Sequence, residues 1–286
     1  MRVAERYISF SNRTRYPDIP QRGQRVRVAI PAGIQLKIEA CSQWPERFGS
    51  EQWSVYRGVM TEASHRGIPF AVGGGLAATT YAGLWRNTKD IDLYILPSDR
   101  ERMVQLIFDL GLQDYYDKLA YDRKWIFRSY RADTIVDLMW GMANQRAWVD
   151  EDWLGGPEVN ADGVRFRLLP PEQALWTKLY VLQRDRCDWP DAFNLLSGVG
   201  SGLDWKLFLH LLGTDVPLLA ALLCAYAWLS PDGARQLPNW IWAELGLNQP
   251  AQESSTALTA RRADLLDSRP WFVHSLSHDG NSSQSC

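Results

Sequence analysis

The sequence predicts an α+β (α/β) fold: a mixed β-sheet flanked by helices, followed by a C-terminal helical subdomain. Three observations carry this expectation. A short apolar segment, Pro69 to Val72, runs into Gly73-Gly74-Gly75, and an acidic strand begins fifteen residues after Gly75 at Asp90. Residues 122–129 and 133–140 alternate like two antiparallel strands joined near Arg131-Ala132. Beyond Leu168-Leu169-Pro170-Pro171 the apolar spacing turns helical and stays so.

The elements follow in order. Residues 25–40 alternate on either side of Pro31-Ala32-Gly33 and predict a hairpin, giving an N-terminal extension over 1–50. A core spans 51–169. It starts with a helix over 51–66 that stops at Gly67, then a strand from Pro69 to Val72, the glycines and a helix over 76–84. Asp90 to Leu96 is the acidic strand. Pro97-Ser98 ends it, Ser98 is a candidate cap for a helix over 99–110, and Gly111 suits that helix's end. A further strand is expected at 164–168. A helical subdomain spans 170–247, with helices at Glu172–Val181, Trp189–Leu196, Trp205–Leu212, Val216–Leu229 and Trp240–Leu245. Residues 248–286 are polar and read as a loosely ordered tail.

The composition, 46% hydrophobic and 22% charged over 286 residues, is that of a globular chain with a sizeable core. Cys41, Cys187, Cys224 and Cys286 show no C-x-x-C pair, so neither a zinc site nor a disulfide framework is indicated. The N-terminus has no apolar signal region, and residues 216–229 are too short to span a bilayer. A cytoplasmic setting and no membrane partner are expected. A formal charge of −2 offers no general attraction for nucleic acid, and no DNA partner is expected. There is no G-x-S-x-G elbow and no Walker A sequence. His274 and His278 have helical metal spacing but lie in a polar tail without a third ligand.

Chemistry concentrates in Asp90-Ile91-Asp92-Leu93. On a strand, Asp90 and Asp92 share a face, roughly 6.5–7 Å apart along the chain. Two adjacent carboxylates repel, and a divalent cation with oxygen ligands relieves the repulsion. Metal-assisted phosphoryl chemistry calls for a third acid. Asp137, flanked by apolar neighbours on a strand, is the best candidate; Asp133 reads as a turn residue. Each feature has a plainer alternative: a tight glycine turn, a solvated strand end, an aspartate simply paired with an arginine. Their combination at this spacing favours the functional reading.

The glycine turn, helix, hDhDh strand and third aspartate together resemble the polymerase-β-like nucleotidyltransferase superfamily. The V-G-G-G-L-A start and D-I-D-L strand are similar to the aminoglycoside-type branch. Arg86-Asn87-Thr88-Lys89-Asp90-Ile91-Asp92-Leu93, with Lys178, Arg184 and Arg186 on and after a later helix, is similar to the AbiEii-like toxin branch. The resemblance covers about residues 68–196. It implies Mg²⁺ (two ions) on Asp90, Asp92 and Asp137, the third being a shared ligand or base. It further implies an NTP triphosphate on the backbone of Gly73, Gly74 and Gly75, with Arg86, Thr88, Lys89 and Lys178 at the nucleotide. The implied reaction moves an NMP, as AMP, from the NTP to an acceptor hydroxyl and releases pyrophosphate.

The acceptor is left open between a small molecule and tRNA or protein. The mild negative charge tilts toward a small molecule, while Arg-rich stretches at 12–27 and 122–131 keep RNA in play. A catalytically silent binding module of the same fold is the alternative from another class.

Overall fold

The computed structural model describes residues 43–83, 85–86, 88–250 and 256–266. The hairpin expected at 25–40 lies outside them. Seven strands form one mixed sheet: β1 (Phe70–Val72), β2 (Asp90–Ile95), β3 (Gln113–Asp114), β4 (Ile126–Arg131), β5 (Thr134–Met139), β6 (Glu158–Ala161) and β7 (Val164–Leu168). Their order is β3-β4-β5-β2-β1-β7-β6. The β2–β5 and β1–β7 pairs are parallel and the others antiparallel. Within the described residues the strands expected from Pro69 onward are present, their ends displaced by at most four residues. β3 and β6 were not foreseen. β6 and β7 are joined by Asp162 (φ 50) and Gly163 (φ 76), the left-handed pair of a tight hairpin turn.

The helices are α1 (Trp44–Arg47), α2 (Ser50–His65), α3 (Gly74–Ala82), α4 (Arg100–Asp109), α5 (Pro171–Leu179), α6 (Trp189–Val199), α7 (Trp205–Leu212), α8 (Val216–Leu229), α9 (Pro231–Arg235), α10 (Asn239–Glu244) and α11 (Thr256–Asp264). α2 buries Trp53, Tyr56, Val59, Met60 and Ala63, one stripe at helical spacing. Gly67 (φ +61) follows it, as the sequence predicts. Asp99, not Ser98, precedes α4, with no side-chain cap bond. α11 forms within the segment expected to be loosely ordered. There Arg262 sits 5.3 Å from the Trp228 ring and hydrogen-bonds that residue's carbonyl.

The helical region is packed onto the core through α3. A Cβ at Gly198 of α6 would lie 2.2 Å from the Tyr81 carbonyl of α3, so only glycine permits this approach. The run Trp205–Leu229 is long and apolar enough for a membrane span by composition. It is nevertheless two helices, broken at Gly213–Asp215, where Asp215 accepts from Tyr180 and faces Arg146 at 3.1 Å.

Candidate active site

Three carboxylates meet where β2 and β5 run side by side. In that parallel ladder Asp90 stands opposite Ile135 and Asp92 opposite Asp137. Ile91, Leu93, Val136 and Leu138 are fully buried, and this anchors the register that turns the acids to one place. A carboxylate oxygen from each of Asp90, Asp92 and Asp137 lies within 4.8 Å of the others. The acids sit unequally: the Asp137 side chain is 1% exposed and that of Asp90 36%.

The electrostatics fit a cation-binding cluster. Burial, then Asp90 and Asp137, push Asp92 up from its ordinary 3.8 to about 7, against the pull of Lys178 and Arg128. Burial also raises Asp137, opposed by the Arg128 beside it. Arg128, directly across the β4–β5 ladder, donates from Nε to Asp137 Oδ1 at 2.8 Å and from Nη2 to Oδ2 at 2.5 Å. Its Nη2 also stands 3.9 Å from Asp90 Oδ2. One guanidinium therefore offsets part of the charge of three carboxylates. An oxygen donor set with uncompensated negative charge is what a hard divalent cation takes. Two lone-pair positions on Asp137 remain for a ligand beyond those used by Arg128.

The glycines are explained by Asp92. Gly73 N–H donates to the Asp92 carbonyl at 2.9 Å, and Gly73 sits at the start of α3. Gly74 has φ +55, and a Cβ there would fall 1.4 Å from Asp92 Oδ2. A Cβ at Gly75 would stand 3.1 Å from Arg86 Nη2. The first turn of α3 thus lies against an acid of the cluster, with its positive end toward incoming oxyanions. Gly74→Ala is expected to displace the Asp92 carboxylate and to weaken divalent-cation binding by about tenfold or more, the effect of losing about 1.4 kcal/mol. Calorimetric titration with a divalent cation would measure it; wild-type affinity would contradict this account of the turn.

The remaining predicted residues divide. Thr88 belongs to the cluster: its hydroxyl donates to Asp90 Oδ1, and its carbonyl accepts from Gln52 Nε2 at 2.6 Å. Lys89 is exposed at the mouth of an adjoining cavity. Arg86 reaches Gly75 but pairs with Asp191 at 3.2 Å. Lys178, expected at the nucleotide, has a 7% exposed side chain held by Asp188 and Asp191, each at 2.8 Å. The reason is burial: an ammonium inside the fold needs carboxylate partners. Burial alone would lower Lys178, but Asp191 and Asp188 outweigh it and hold it above its ordinary value.

Sequence reasoning missed two arginines. Arg128 was grouped with an Arg-rich stretch, although its place on the strand facing Asp137 commits it to that acid. Arg186 stands with Arg184 in the sequence, and nothing local tells the two apart. Arg186 does pair with Asp188 through Nε and Nη2, both at 3.0 Å, but it also lies in the field of Asp92 and Asp90. Charge alternation in Arg184-Asp185-Arg186 hides which arginine pairs with Asp188.

No family model matches the chain, and no curated protein matches it in sequence. Among solved structures it is similar to the antibiotic-resistance factor ANT(2'')-Ia in solution, with a TM-score of 0.44 and 20% identity over 61% of this chain and 96% of that one. The complex of ANT(2'')-Ia with adenylyl-2''-tobramycin gives 0.39 and 20% over 62% and 99%. The lincomycin-bound lincosamide antibiotic adenylyltransferase LnuA gives 0.36 and 16% over 48% and 91%. At these scores the functional reading rests on the chain's own residues.

Proposed function

We propose that this protein is a divalent-metal-dependent nucleotidyltransferase that moves the NMP of an NTP to a hydroxyl of a small-molecule acceptor. The observation that carries the reading is the meeting of Asp90, Asp92 and Asp137 within 4.8 Å, beneath the glycine turn that opens α3. Mg²⁺ held by these three acids would neutralise charge on the phosphate oxygens. The acceptor oxygen attacks the α-phosphorus while the bond to the bridging β-phosphate oxygen breaks, so pyrophosphate leaves. The hydroxyl proton passes to a carboxylate of the cluster.

The chain's own parts divide the work. Thr88 and Gln52 fix Asp90, Arg128 fixes Asp137, and the backbone at Gly73 to Gly75 fixes the position of Asp92. The N–H groups of the first turn of α3 would receive the triphosphate, and Arg86 lies beside Gly75. Arg186, in the field of Asp90 and Asp92, supplies positive charge from the helical region.

The test is incubation of the full chain with each α-³²P-labelled NTP, Mg²⁺ and an extract split into small-molecule, RNA and protein fractions. Label should enter the small-molecule fraction and vanish with EDTA or with Asp90→Asn. Label in RNA or protein would replace the acceptor class. Nucleotide binding that ignores both Mg²⁺ and Asp90→Asn would overturn the enzyme reading in favour of a silent module.

A further inference from the structure

A cavity of about 970 Å³ opens directly beside the acid cluster. Thr88 and Lys89, the two residues before Asp90, form part of its wall, as does Ile135, the ladder partner of Asp90. Tyr115 forms another part. Its ring lies 5.9 Å from the guanidinium of Arg128, the arginine that holds Asp137. The cavity thus adjoins the acid cluster through the residues next to Asp90 and its ladder partner, while the three acids themselves stand outside its lining.

Its charges are distinctive. Lys89, Lys118 and Arg131 line it from three different segments, against the two carboxylates Glu51 and Asp133. The lining is net positive in a chain of formal charge −2. Other cations near the site are committed to acids: Arg128 to Asp137, Lys178 to Asp188 and Asp191, and Arg86 to Asp191. Among the described residues no salt bridge joins Lys89, Lys118 or Arg131 to an acid. Lys118 is instead placed by aromatic faces, its ammonium 3.5 Å from the centre of the Tyr130 ring and 5.7 Å from that of Tyr115. Arg131 is placed by donating to the Leu110 carbonyl at 3.3 Å. A polycationic acceptor would meet like charge here, whereas an acidic one meets three cations that no salt bridge among the described residues ties to an acid.

We propose that this cavity is the acceptor subsite and that it takes a small hydroxylated molecule bearing an anionic group, a phosphate or a carboxylate. Lys89, Lys118 and Arg131 bind the anion, and Tyr115 packs against the body of the molecule. This rests on the nucleotidyltransferase reading, since it takes the direction of the acceptor from the acid cluster.

The experiment is calorimetric titration of the full chain with glycerol 3-phosphate, glycerate and tobramycin, and separately with Mg²⁺ and a non-hydrolysable ATP analogue. Binding of glycerol 3-phosphate or glycerate is expected; which one binds distinguishes phosphate from carboxylate. In Lys118→Ala/Arg131→Ala the anion should bind about tenfold more weakly, the scale of two exposed charge contacts. The Lys118→Arg/Arg131→Lys pair should restore it. The Mg²⁺-nucleotide titration should be unchanged in the double-alanine variant and lost in Asp92→Asn, which keeps anion binding. If the anions do not bind, or bind equally to the double-alanine variant, or tobramycin binds in their place, the subsite proposal is overturned. Failure of the nucleotide titration in the wild-type chain would instead sink the nucleotidyltransferase reading.

Discussion

On the proposed mechanism Asp92→Asn is expected to reduce kcat/KM for nucleotidyl transfer by at least about 10³-fold, because it removes a charge from the acid cluster that would hold the metal. The same change should raise the melting temperature of the metal-free protein by a few degrees, since a half-buried carboxylate repelled by its neighbours is lost. The sign follows from the shift: Asp92 titrates at about 7 in the fold against an ordinary 3.8. The folded state thus holds this proton more tightly than the unfolded chain. Stability of the metal-free wild type should fall as pH rises from about 4 to about 7, then level off. Asp92→Asn should show a shallower slope, the remainder coming from the likewise raised Asp137, and Mg²⁺ should raise the melting temperature of the wild type alone. Thermal melts across this range, with and without Mg²⁺, check all three points. Mg²⁺-dependent transfer surviving in the variant would remove Asp92 from the mechanism.

Lys178→Met should cost about 3 kcal/mol, the scale of removing one partner from a buried ion pair, or roughly 6–12 °C in melting temperature. Two largely buried carboxylates, Asp188 and Asp191, lose their shared cation, although Arg186 and Arg86 remain with them. Lys178 is held above its ordinary 10.5, so its contribution is complete at neutral pH and disappears as pH rises beyond that value. Burial raises Asp188, but Arg186 and Lys178 outweigh it and hold it below its ordinary 3.8, so its share is lost only as pH falls through the acid range. The network is therefore intact across neutral pH. Urea unfolding at neutral pH measures the cost. A variant of unchanged stability whose Mg²⁺-nucleotide affinity collapses would return Lys178 to the phosphates, as the sequence resemblance implied.

The periodicities that were legible are those set by local chemistry. The stripe of α2, the closing Gly67, the Pro97 stop and the alternation of β2 are each written within a few residues. The β6–β7 hairpin was legible too. Asp162-Gly163 is a strong two-residue turn signal, and Val159, Ala161, Val164 and Phe166 alternate about it. β6 is only four residues long, which leaves its alternation short of a full periodic signal. β3, two residues long, carries no periodic signal at all.

By itself the sequence determined the acids and their shared strand face, the glycine turn, and the switch to helices after Pro170-Pro171. These depend on alternation, missing side chains and ring constraints, all properties of neighbouring residues. Only the tertiary structure decided the pairings across the chain. It set Arg128 against Asp137 through an antiparallel register, and it buried Lys178 between Asp188 and Asp191 instead of leaving it for phosphate. It also gathered Lys89, Lys118 and Arg131 around one cavity. A charge's role depends on which opposite charge and how much water lie within a few ångströms, and strand order and helix docking alone set those distances.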